Sequence, residues 1–144
     1  MFVVETELNE LKAIQIDFRA GSPIYIQIVE QIRQQVASGE LSPNDQLPTV
    51  RQLASELRVN FNTIARAYRI LDEAGLISTQ QGRGTYILEE TTPEVSRNIK
   101  EQSLREMART FINEAKLLGF SLDEVVYALK NSGDENITNK ELTN

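Results

Sequence analysis

Residues 49–75, TVRQLASELRVNFNTIARAYRILDEAG, decide the fold. Thr49 with Gln52 three residues on is a capping box, which opens a helix by satisfying free backbone N–H groups from both sides. Val50, Leu53, Ala54 and Leu57 then share one face. Arg58-Val59-Asn60 breaks the pattern. A second helix is expected from about Phe61 to Ala74, with Ile64, Ala67, Tyr68 and Leu71 as its core stripe and Gly75 as its stop. A short helix, a brief break and a longer helix have the spacing of a helix-turn-helix, whose last helix enters the major groove of DNA.

Upstream, Ser22 as cap and Pro23 as first residue open an earlier helix. Ile24, Ile28, Ile32 and Val36 recur every four residues along it, with Val29 beside them, and Gly39 ends it. Leu41–Asp45 reads as a turn. Before the helix, Ile14, Ile16 and Phe18 alternate with Gln15 and Asp17, the pattern of a short strand. Downstream, Leu76–Gln80 and Thr85–Leu88 are strand candidates joined by Gln81-Gly82-Arg83-Gly84, a hairpin signal. The fold class is therefore mainly α with a small β component (α+β), an N-terminal winged helix-turn-helix domain. The expected divisions are an N-terminal extension over 1–13, the winged domain over 14–90, a helical hairpin over 91–131 and a disordered tail over 132–144.

On the second helix of the motif, the face opposite the core stripe presents Asn62, Arg66, Arg69 and Glu73. Asparagine reads adenine; arginine reads guanine or holds phosphate. A solvated polar face is the other reading of these residues. Arg51 is placed to reach a phosphate or to pair with Asp45 or Glu56. Arg83 projects from the hairpin tip as a minor-groove arginine would, or as a solvated turn residue.

The net charge of −6 argues at first against a nucleic-acid partner. Its distribution permits one: the acid excess lies at the two ends, and every base between residues 18 and 88 is arginine, which suits bidentate phosphate and guanine contacts, although many non-binding domains have a balanced middle too. The chain of 144 residues has no cysteine and no histidine. Disulfides, zinc fingers and thiol chemistry are thereby excluded, and so is the commonest general base. No glycine-rich phosphate loop followed by Lys-Ser/Thr is present, so no enzyme, metal or cofactor is expected. No apolar run is long enough to span a membrane, and Phe2–Val4 is too short for a signal peptide, so a cytoplasmic protein is expected.

Thr92 and Pro93 open a long helix with Val95, Ile99, Leu104, Met107, Ala108, Phe111, Ile112, Ala115 and Leu118 on one broad face, stopped by Gly119. Ser121 and Glu124 form a second capping box, with Phe120 stapling onto Val125. That helix adds Leu122, Val125, Val126 and Leu129. Two helices cannot enclose a core alone, so the stripe needs a partner. A homodimer is expected, because a helix-turn-helix dimer gains affinity from two half-sites. The alternative folds the helical hairpin back on its own winged domain.

Four segments taken together resemble the GntR family of bacterial transcription regulators, and within it the YtrA-type branch: PIYIQIVEQIRQQVASGEL, DQLPTVRQLASELRVN, NTIARAYRILDEAGLI and QGRGTYI. The resemblance runs from about Ile14 to Leu88. It implies a DNA-binding repressor acting on a pseudo-palindromic operator, often that of a nearby transporter operon, with a short helical C-terminal region for dimerisation. It implies that Arg51, Thr63, Arg66 and the Gly82-Arg83-Gly84 wing contact double-stranded DNA. Asn60 fits the YtrA-type pattern, whereas Phe61 stands where other members carry arginine or proline. That leaves Phe61 a thymine methyl or a sugar as its expected contact. The family offers no role for the N-terminal extension. Competing functions are a winged-helix module for protein–protein contact and a regulator gated by a small molecule at the dimer interface; no effector is indicated.

Overall fold

Eight elements follow one another in the computed structural model, which describes residue 11, residues 13–88 and residues 91–141, the side chains of the last helix as far as residue 133. They are α1 (Ile24–Ala37), β1 (Gln46–Leu47), α2 (Val50–Leu57), α3 (Phe61–Glu73), β2 (Ile77–Gln80), β3 (Gly84–Ile87), α4 (Pro93–Leu117) and α5 (Leu122–Glu141). Two compact units result, Met1–Leu104 and Arg105–Asn144.

In the first unit, α3 packs against α1, α2 and β2. Its core joins Ile28, Val29 and Ile32 of α1 to Leu53 and Leu57 of α2 and to Ile64, Ala67, Tyr68, Ile70 and Leu71 of α3. All the core positions read from helical spacing in α2 and α3 are buried except Val50, which is half-buried. The Tyr68 hydroxyl donates to the Pro48 carbonyl at 2.6 Å, in the buried interior. Burial pushes that phenol above its usual range. Pro48 directly precedes the Thr49 cap, so this bond ties the core of α3 to the start of α2.

The wing is a three-stranded antiparallel sheet in the order β1-β3-β2. Gln46 pairs Tyr86 and Leu47 pairs Thr85, while Ile77 pairs Ile87 and Thr79 pairs Thr85. The two-residue β1 has no counterpart in the sequence reading, because two residues carry no alternation.

Several expectations need correction. Residues 14–18 are not a strand. Ile14 and Ile16 are buried, as the alternation required, but the ladder partner is side-chain amide rather than backbone. Gln31 accepts from the Gln15 N–H at 2.8 Å and donates to the Gln15 carbonyl at 2.7 Å. Gln27 does the same for Asp17, at 2.9 Å each way. Two residues of extended chain span about 6.6 Å and four residues of helix about 6.0 Å, so Gln27 and Gln31 on α1 match Gln15 and Asp17. Ser22 is not the cap of α1: Pro23 holds that position, without a side-chain cap bond. The boundary after residue 90 is also displaced. Val95 and Ile99, on the first turns of α4, lie in the core of the first unit.

Two helix caps announced by the sequence follow, Thr92 in the first unit and Ser121 in the second. The Thr92 hydroxyl accepts from the Val95 N–H at 3.1 Å. At α5, Glu124 accepts from the Ser121 N–H at 2.7 Å and the Ser121 hydroxyl accepts from the Glu124 N–H at 3.2 Å. The expected tail from 132 is helical as far as Glu141. Met1–Glu10 and Lys12 of the N-terminal extension, and residues 142–144 of the tail, lie outside the described residues.

Candidate nucleic-acid interface

The helix-turn-helix is shaped by three local devices. The Thr49–Gln52 capping box is complete, with Gln52 N–H to Thr49 Oγ1 at 3.1 Å and Thr49 N–H to Gln52 Oε1 at 3.0 Å. Arg58 ends α2 in the left-handed region, at φ 56°, and its N–H reaches back to the α2 carbonyls. Asn60 then caps α3 by accepting from the Asn62 N–H at 2.8 Å. The Asn60 side-chain Oδ1 is thus committed to shaping the helix. Asn62, whose N–H donates to that cap, is itself exposed.

Along α3, Phe61, Asn62 and Arg69 are exposed, while Thr63, Ala65 and Arg66 are partly exposed. The Arg66 guanidinium lies over the ring of Tyr25 from α1, 5.0 Å from its centroid. A cation stacked this way is held by the ring face, with its N–H groups directed along the edges of its plane. No sequence spacing announces that contact, because Tyr25 and Arg66 meet only once α1 packs on α3. Arg51, in the first turn of α2, is exposed.

At the wing, Arg83 N–H closes a turn onto the Gln80 carbonyl at 3.0 Å. The Tyr86 hydroxyl donates to the Arg83 carbonyl at 2.7 Å, which fixes the tip, and the Arg83 side chain is exposed. Gly84 has φ 115°, a conformation L side chains rarely adopt, and an added Cβ would lie 2.7 Å from Gln46 Nε2. The positive φ is what calls for glycine there, since the Gln46 side chain could swing away from a Cβ.

The first unit therefore carries exposed cations on α2, α3 and the wing, Arg51, Arg69 and Arg83, and a stacked one, Arg66 on Tyr25. Among the described residues, no three His, Cys, Asp or Glu side chains gather as a metal site, and no helix is long and apolar enough to cross a membrane.

The second unit has the opposite character. Met107, Ala108, Phe111, Leu118, Leu122, Val126 and Leu129 are exposed, as is Leu104 just before them, while Ile112 and Ala115 are half-buried. Val125 departs from the expected interface set: it is already buried in the single chain. Phe111, Ala115, Leu118, Phe120, Val125 and Ala128 line an apolar groove of about 340 Å³ between α4 and α5, with Glu114 and Glu124 also in its lining.

Residues 24–87 match the family described as bacterial regulatory proteins, gntR family. The chain is 36% identical over 113 residues to YhcF of Bacillus subtilis (strain 168), an uncharacterized HTH-type transcriptional regulator, covering 78% of this chain and 92% of that protein. It is 38% identical over 112 residues to the HTH-type transcriptional repressor YtrA of the same organism, covering 78% and 85%. Among solved structures, YtrA from Sulfolobus acidocaldarius, a GntR-family transcription factor, shares 36% identity at a TM-score of 0.50, covering 85% of this chain and 97% of that one.

Proposed function

The chain belongs to the gntR family of bacterial regulatory proteins, on its YtrA-type branch, and from that premise we propose a transcription repressor that binds a pseudo-palindromic operator as a homodimer. The observation that carries this reading is the capped α2–turn–α3 motif with Asn62, Arg66 and Arg69 on its outward face. In this reading α3 enters the major groove. Arg66 and Asn62 meet base edges, Arg51 and Arg69 meet phosphates, and Thr63 adds a hydroxyl contact. Arg83 reaches a minor groove from the wing, while Gly82 and Gly84 shape its approach. Asn60 acts by positioning α3.

The protein works by binding and not by catalysis, in the cytoplasm. A chain without cysteine or histidine supports that part of the reading. The homodimer rests on the exposed apolar residues of the second unit, Phe111 and Leu118 foremost, which a second copy would cover. Two linked winged units gain an effective-concentration advantage on a two-fold operator of about 10²–10⁴. The test is enrichment of duplexes from a randomised pool with the full chain. A two-fold-related pair of half-sites is expected; a pool that shows no enrichment contradicts the reading.

A further inference from the structure

Phe61 is the first residue of α3 and leaves 51% of its surface in water. Single exposed apolar residues are common on protein surfaces, so exposure alone decides nothing. Position and neighbours do. The Asn60 cap holds the backbone at this end of α3. Ala65 lies four residues on, on the same edge of the helix as Phe61, and is partly exposed. The outer surface of α3 therefore carries two chemistries side by side: an apolar edge of Phe61 and Ala65, and a polar strip of Asn62, Arg66 and Arg69.

The major groove offers hydrogen-bond donors, acceptors and one apolar feature, the C5-methyl group of thymine. A phenyl ring has no hydrogen-bonding atom, so it cannot distinguish bases by donors and acceptors. Against a phosphate it would bury charge without a partner. We propose that Phe61, with Ala65 beside it, reads the C5-methyl of a thymine in each half-site, and so selects T·A at that position. The inference rests on the DNA-binding reading above and adds the base feature that the apolar edge recognises.

The probe is a duplex enriched from a randomised pool by the full wild-type chain. Each thymine is replaced in turn by deoxyuridine, which removes the methyl and leaves every hydrogen-bonding atom of the groove. Binding of the wild type and of Phe61→Ala is then measured on each duplex. One thymine per half-site should show wild-type binding weakened about fourfold by the replacement, the value of one buried methyl. Phe61→Ala should bind the thymine and deoxyuridine duplexes alike at that position. Circular dichroism of the variant should match wild type, since the ring is half exposed. If no thymine shows a methyl effect, or if the effect is undiminished in Phe61→Ala, the proposal is overturned while DNA binding stands. If no duplex is enriched at all, the DNA-binding reading fails and takes this one with it.

Discussion

Replacing Phe111 by alanine should separate the protomers. The ring is 45% exposed in the single chain. An aromatic side chain buries on the order of 200 Å², so roughly 90 Å² of ring remains for a partner to cover. At about 25 cal/mol per Å² that is about 2 kcal/mol for one ring. Two rings contribute to a symmetric pair, about 4 kcal/mol in all, and tenfold in affinity corresponds to about 1.4 kcal/mol. The dissociation constant of the dimer should therefore rise about 10²–10³-fold, because truncation leaves some of the contact in place. Phe111→Glu should go further, since an unpaired carboxylate would be placed in the apolar contact. The first unit keeps its own core from Ile32, Leu57, Ile64 and Leu71, so helical circular dichroism should survive. Sedimentation equilibrium across a concentration series gives the constant directly. A Phe111→Ala protein that dimerises as tightly as wild type would refute the assignment of this face.

Tyr68→Phe should cost about 1–3 kcal/mol in denaturant unfolding, because the Pro48 carbonyl loses its buried donor. The raised phenol also carries a pH signature. Its contribution is fully present below the unfolded-state value of about 10 and is lost as pH rises above it, so wild-type stability should fall in that range more steeply than that of Tyr68→Phe. Gln27→Ala and Gln31→Ala should each loosen residues 14–17, read as faster amide hydrogen exchange at Asp17 and Gln15 respectively. Unchanged exchange at both amides would show that the extended segment is held by the buried Ile14 and Ile16 alone.

Most of the winged unit was legible because its signals are local. Thr49–Gln52 announces a helix start by spacing alone, as Ser121–Glu124 does in the second unit, and the stripe Ile64, Ala67, Tyr68 and Leu71 needs only the helical period. What escaped reading depends on partners distant in the chain. Gln46–Leu47 is a strand only because β3 lies beside it. Ile14 and Ile16 carry the burial pattern of a strand, yet the segment bonds to glutamine amides, which no alternation reveals. Val95 and Ile99 continue the apolar stripe of α4 without a break, so nothing in the period marks where it leaves the first core. For the candidate site, Asn62, Arg66 and Arg69 were legible as one face, whereas the seating of Arg66 on Tyr25 was not. Ala65 carries too little chemistry to stand out until Phe61 is seen beside it.

The central claim is that the outward face of α2, α3 and the wing binds the phosphate backbone and bases of duplex DNA. The salt dependence of binding to the enriched duplex tests it most directly. Plotted as log K against log salt, wild-type affinity should fall with a slope of about 0.9 per phosphate neutralised, and Arg51→Ala should flatten it by about one per protomer. An affinity indifferent to salt, or a slope unchanged in Arg51→Ala with Arg66→Ala and Arg83→Ala equally silent, would contradict the account.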